Sequence, residues 1–226
     1  MTTGLRERKK RQTRQEISDI ATALFARHGF DAVTISQVAQ AAGVAKMTVT
    51  NYFPRKEDLV FDRAEGIVAA LADTVASRAV GESLLAAIRR DYAVAVARGD
   101  VTLGVSSPEF ASMIMGSPVL TSRGLEMLNQ REAALGDAIA AETGVDDPQQ
   151  RVVAAHLAAV HRVLYAEGSR RSLTGQPRAE IFAVLGAAAE RAFDLLEPSL
   201  GSYGIRPAPP RTTAAEPEPA TAAYDR

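Results

Sequence analysis

Lys46, Thr48, Thr50 and Asn51 fall within six residues, and each can hydrogen-bond to the edge of a base pair. Lysine donates to guanine O6 and N7, and asparagine pairs with adenine through two bonds. Threonine presents a hydroxyl, or a methyl to thymine. That chemistry requires a short rigid element that fits a groove. The surrounding segment, Thr34 to Lys56, reads TISQVAQAAGVAKMTVTNYFPRK. Thr34 precedes an apolar-periodic stretch and Gln37 follows three positions later, the spacing of a reciprocal helix cap. Val38, Ala39 and Ala42 form one apolar face. Gly43 stands where a helix end calls for a left-handed residue. Val49, Tyr52 and Phe53 make a second apolar stripe, and Pro54 ends it by biasing its predecessor out of helical geometry.

Two short helices joined at a glycine turn are the pattern of a helix-turn-helix, which lays its second helix in the major groove of DNA. The flanks agree. Residues 5–14, LRERKKRQTR, hold six basic residues and one acid, a basic arm suited to phosphates. Ile17, Ile20, Ala21, Leu24 and Phe25 then recur at the spacing of a helix with one buried face, ending at Gly29. Residues 1–63 carry eleven Lys and Arg against seven Asp and Glu, while the rest of the chain carries fifteen against twenty. All four lysines lie in that front part, so a net charge of −1 conceals a basic head on an acidic body.

The 226 residues allow one or two domains, and a hydrophobic content of 46% is ample for a packed core. The absence of cysteine excludes a disulfide framework and any cysteine-based metal site or nucleophile. No apolar run approaches the ~20 residues of a membrane span, and the basic N-terminus is not followed by the apolar segment of a secretory signal. A cytoplasmic location without membrane contact is the expectation. His156 and His161 are five apart, about 140° around a helix, so they do not share a metal-binding face. Nothing in the spacing suggests a catalytic set, a metal site or a bound cofactor.

The body reads as helices throughout. Glu57 to Arg78 has helical apolar spacing and is expected as one long helix leading out of the head. A second runs from about Leu84 to Gly99, with 100–107 a loop. Ser107-Pro108, Ser117-Pro118 and Asp147-Pro148 each pair an N-cap with an N1 proline. They start helices to about Met115, Thr143 and Arg171. The last helix runs from about Pro177 to Leu196, before Pro198. No sustained alternation of period two predicts a strand, so the chain is expected to be all-α, with about nine helices. Three units are expected: 1–56 as the DNA-binding domain with its basic arm, 57–203 as the helical body, and 204–226 as a disordered tail. From Gly201 onward the chain holds five of its eleven prolines, with too little apolar surface to offset ordering entropy.

The order of these parts resembles the TetR family of bacterial transcriptional regulators, through AxxLFxxxGFDAVTISQVAQAAGV and MTVTNYFPRKEDLV over about residues 12–62. The resemblance implies an all-helical homodimer that binds double-stranded operator DNA through the head and a small effector through the body. Carried over by position, it implies that Thr34 is a phosphate-contacting cap and that Lys46, Thr48 and Asn51 face the groove. It implies that Tyr52 both packs and touches the DNA backbone, and that Lys56 clamps a phosphate. Two positions depart from the family: Ala45 replaces a usual Ser or Thr, and Thr50 a usual Tyr. The missing contacts shift the expected grip on DNA towards the basic arm.

The runs Val152–Val160 and Ile181–Ala189 are almost wholly apolar. That is more than an internal core requires, and it fits a dimer interface built as a four-helix bundle. For the effector, residues 100–131 combine apolar residues with three of the five methionines, whose flexibility suits a lipophilic ligand. Phe110, Met113, Ile114 and Met127 are the expected wall. This region also resembles MftR-like members of the family, which implies a long-chain acyl-CoA or a similar lipophile, with Arg123 or Arg131 near its polar groups. Repression relieved by the effector is the expected function. An activator, or a DNA-binding protein without effector, would use the same head.

Overall fold

The computed structural model describes residues 2–144 and 147–208, and these form nine α-helices with no strand among them. The helices are α1 (Thr2–His28), α2 (Ile35–Ala41), α3 (Lys46–Tyr52), α4 (Ala64–Ser77), α5 (Leu84–Ala97), α6 (Pro108–Gly116), α7 (Pro118–Thr143), α8 (Pro148–Leu173) and α9 (Arg178–Leu200). Short 3₁₀ turns occupy Lys56–Leu59 and Val101–Leu103. No helix among the described residues is long and apolar enough to cross a membrane.

Two apolar cores organise the chain. The first joins Ile17, Ala21 and Phe25 of α1 to Val38 and Ala39 of α2, Val49 of α3, and Phe53, Leu59 and Val60 beyond. The second lies in the body, where Leu71 and Val75 of α4, Leu85 and Ile88 of α5, Leu157 of α8 and Leu185 of α9 meet. The cores are not sealed from each other. Leu120 of α7 is fully buried in the head core, and Phe110, Met113 and Ile114 of α6 pack against its edge. The proline-led helix starts form as the sequence predicts: Ser107, Ser117 and Asp147 each accept an N–H of the following turn, with proline at N1 or N2.

Four expectations need correction. The basic run at 5–14 is not an arm but the first turns of α1, which continues without a break from Thr2 to His28. Glu57–Arg78 is not one helix. Leu59 and Val60 lie in the head core and Leu71 and Val75 in the body core, and α-helical hydrogen bonding is interrupted between the two pairs. The chain makes a 3₁₀ turn, passes through residues 60–63, and starts α4 afresh at Ala64. The last helix runs past Pro198 to Leu200, because a proline in the final turn costs one hydrogen bond and leaves Glu197 O to accept from Gly201 N. Lastly, residues 204–208 are held. Arg206 exchanges backbone bonds with Gly81 and Glu82, and its guanidinium donates to the carbonyl oxygens of Ala76 and Arg78. It thereby caps the end of α4. The rest of the expected tail, 209–226, lies outside the described residues.

Arg78 anchors this corner. It is 2% exposed, donates to both carboxylate oxygens of Glu142 on α7 at 2.6 and 2.5 Å, and also reaches Val75 O and Gly204 O. Removing one partner of a buried pair leaves the other charge short of solvation. Glu142 keeps about a third of its side chain exposed, which softens that penalty. Arg78→Met is expected to lower unfolding stability by about 2–3 kcal/mol, measured by urea denaturation of the full chain.

Candidate nucleic-acid interface

Helix α2 is set by the residue before it. Gln37 N donates to Thr34 Oγ1 at 3.3 Å, and Thr34 N donates to Gln37 Oε1 at 2.7 Å, closing the reciprocal cap. At the other end Gly43 has φ +65°, a left-handed backbone that a side chain would strain. The turn delivers α3 with Val49 fully buried and Lys46, Met47 and Asn51 exposed; Thr48, Thr50 and Tyr52 are half-buried. Six of the seven expected contact residues thus lie on or at the head of the two helix-turn-helix elements, with their polar groups available in different degrees.

Lys46 and Asn51 stand exposed on α3, where their side-chain donors face outward. Thr50 differs: its hydroxyl lies 3.1 Å from Met47 O and is spent on the backbone of its own helix. Met47 is 69% exposed on a helix only two turns long. Its exposure is decided by the fold, since an apolar residue at that position could equally have faced the core. Ala45 is the N-cap of α3, in extended geometry and with no side-chain cap. The first N–H groups of the recognition helix therefore lack a capping acceptor.

Lys56 is half-buried and lies over the turn after α1. Its ammonium lies 4.3 Å from the centre of the Phe30 ring and 3.4 Å from Asp31 O. Burial pushes its pKa below the ordinary lysine value, opposed by the nearby carboxylates of Asp31 and Glu57. The same placement ties the turn after α3 to the turn after α1.

Sequence position alone does not distinguish Arg14, one cation among six in a basic run. Its Nη1 donates to Tyr52 O at 2.6 Å, its Nη2 to Asp62 O at 3.3 Å, and its guanidinium lies 4.4 Å from the Phe53 ring centre. It supplies positive charge and donors to the carbonyl end of α3, where a helix dipole favours a cation. The basic extension of α1 continues this edge: Arg6, Lys9, Lys10 and Thr13 recur at helical spacing and surround one shallow hollow with Tyr52. A positive strip therefore runs from the base of α3 along α1.

The interface is joined to the body by charge. Arg55 donates to Glu126 of α7 at 3.1 Å, and Arg123 of α7 reaches both Asp58 at 3.1 Å and Glu126 at 2.9 Å. Arg123 and Asp58 are mostly buried, and the bonds from both arginines hold the Glu126 carboxyl below its ordinary pKa.

The five expected effector residues are divided by the fold. Phe110, Met113 and Ile114 sit on α6 against the head core, Met127 is buried on α7, and Arg131 lies one turn further along, beside His161. Phe110 lines a hollow of about 710 Å³ between α1, the start of α4 and residues 101–107, with Thr22, Phe61, Ile67 and Tyr165 among its walls. Arg131 lines an adjoining hollow of about 380 Å³ that shares Arg63, Ile67 and Thr102 with the first. Met113 faces a different groove beside Phe30, and Met127 lines neither hollow.

An exposed short helix bearing hydrogen-bond donors, a capped helix before it and a basic strip beside it are the parts of a helix-turn-helix head. Residues 17–62 match the bacterial regulatory proteins of the tetR family. The chain is 30% identical over 213 residues to the HTH-type transcriptional regulator TcmR of Streptomyces glaucescens, covering 90% of this chain and 91% of TcmR. A likeness to the mycofactocin regulator MftR of Mycobacterium tuberculosis is 43% over 49 residues, just 22% of this chain and 25% of MftR. In three dimensions the chain is similar to a TetR-family transcriptional regulator from Mesorhizobium loti, with 19% identity, a TM-score of 0.50, and coverage of 81% and 96% of the two chains. The protein belongs to the TetR family and is a DNA-binding transcriptional regulator, not an enzyme. The likeness that extends through the body is to TcmR; the expected MftR-like grouping rests on less than a quarter of the chain.

Ala45→Ser restores a cap to α3. It is expected to raise stability by about 0.5–1 kcal/mol and to tighten operator binding, read by thermal denaturation and fluorescence anisotropy. Unchanged stability would show that the cap geometry is not available to the serine.

Proposed function

We propose that the protein is a dimeric repressor released from a near-palindromic operator by a small, largely apolar effector. The observation that carries this reading is the position of the two adjoining hollows. Their walls include Thr22 of α1, Phe61 between head and body, and Gly66, Ile67 and Ala70 of α4. A ligand seated there touches the support helix of the head and the helix that carries the head at once. Any shift of α4 is passed on through Leu59 and Val60, which plug the head core, and through the Arg55–Glu126–Arg123–Asp58 cluster.

In this reading Lys46, Thr48, Asn51 and Met47 read bases, while Thr34, Tyr52, Lys56 and the basic face of α1 bind phosphates. Two copies place their recognition helices roughly 34–36 Å apart, in successive major grooves. The dimer is formed by α8 and α9. Their inner faces fill the body core, yet Val152, Val163 and Leu195 remain exposed. They leave an apolar face without a partner within the chain. The effector site takes in Phe110, Ile67 and Tyr165 at one end and Arg131 at the other, with Ile114 reached through a small neighbouring hollow.

The decisive experiment selects an operator from random duplex DNA and measures its release by a panel of apolar molecules, palmitoyl-CoA included. Operator affinity that no member alters would count against the effector reading. Asn51→Ala and Lys46→Ala are expected to relax base preference at one or two positions, costing about 1–3 kcal/mol each on the selected site. Replacing Lys9 and Lys10 together is expected to weaken all sequences alike and to lower the salt slope by about two units. Val163→Glu with Leu195→Glu is expected to turn a dimer into a monomer in light scattering. A wild-type monomer at micromolar concentration would sink the dimer.

A further inference from the structure

Arg131 stands out among the half-buried cations of the body. Among the described residues it has no ion-pair partner, and its one side-chain hydrogen bond is Nη2 to His161 Nδ1, at 3.1 Å. A guanidinium only donates, so His161 Nδ1 accepts and the imidazole carries its proton on Nε2. His161 is 4% exposed, and burial beside the Arg131 cation pushes its pKa well below the ordinary value, which keeps it neutral and able to accept. Tyr92, 1% exposed, sets its ring edge-on against the imidazole with centroids 5.0 Å apart.

Three polar atoms in this cluster are buried with no partner: Arg131 Nε, His161 Nε2 and Tyr92 Oη. All three bear hydrogen. Buried donors without acceptors are costly, and a cation among them more so. Asp91 attracts Arg131 from beyond ion-pair distance, and Asp100, at the wall of the hollow, already accepts from Thr102 N at 2.8 Å. The structure thus holds an excess of donors and a positive charge without an ion-pair partner, on a hollow whose other walls are Arg63, Gly66, Ile67, Ala70, Asp100 and Thr102.

We propose that Arg131 binds the carboxylate of an otherwise apolar acid whose hydrocarbon part fills the adjoining hollow. This deepens the effector reading above and rests on it. The guanidinium fork matches a carboxylate through two parallel bonds, with the free Nε on one side of that fork. His161 is a positioning residue: it holds Nη2 and so fixes the plane of the fork. Tyr92 in turn fixes the imidazole. Arg63, at the mouth shared by both hollows, adds a second positive charge on the path inward.

The test compares matched acids and amides on the full-length protein: 2-naphthoate with 2-naphthamide, and decanoate with decanamide, by isothermal titration. Each acid is expected to bind at least tenfold tighter than its amide, a ratio that Arg131→Met abolishes while the amides still bind. Equal affinities within each pair, or no binding of either acid, overturn the proposal without any variant. An acid preference that survives in both Arg131→Met and Arg131→Lys removes Arg131 as its source. The neutral fluorophore N-phenyl-1-naphthylamine separates the two levels. If it binds and releases operator while acids gain nothing, the effector reading stands and the carboxylate site falls. If neither it nor any acid or amide binds, both fall.

Discussion

The seam between α4 and α7 is the constraint on which the rest of the structure depends. These two helices make the most extensive pairing in the chain, and the pairing is tied at both ends. At the far end Arg78 is sunk against Glu142 and the Gly204 carbonyl. At the near end Arg55 and Arg123 bind Glu126 and Asp58 across the junction with the head. Between the ties one face of α4, at Gly66, Ile67 and Ala70, lines a hollow.

The head shows how a small unit keeps a fixed geometry with little core. Val38, Val49, Phe25 and Phe53 supply its centre, but three polar devices set the angles between helices. The Thr34–Gln37 cap fixes the start of α2. Arg14 ties the end of α3 to α1, and Lys56 bridges the Phe30 ring and the Asp31 carbonyl. Two of these three are cations serving the fold with the same charge that suits a phosphate-facing surface. Charge alone therefore does not mark which cations hold the head together.

The body makes the opposite trade. Its core is aliphatic and well filled, and loop and helix approach so closely that a Cβ on Gly104 would lie 2.4 Å from Tyr165 O. Against that background the Arg131–His161–Tyr92 cluster is conspicuous. A domain able to bury Leu157 and Leu185 completely gains nothing in stability from three unpaired donors.

Helical content, the proline-led and threonine caps, the glycine turn and the exposed face of α3 were all legible in the order of the residues alone. Those are local matters: periodicity, capping and backbone freedom act within a few residues, and their signals survive without a fold. Family membership was legible too, because many short spacings coincide in one segment. Where distant side chains meet was settled only by the packing of the folded chain. The break before α4 separates Leu59 and Val60 of one core from Leu71 and Val75 of the other. Arg14 became a clamp because α3 ends beside it, and Arg206 a cap because α4 ends beside it. The expected effector wall divided because α6 turned to the head while Arg131 turned to the body. In each case the deciding energy comes from burial and pairing between elements tens of residues apart, which no local pattern records.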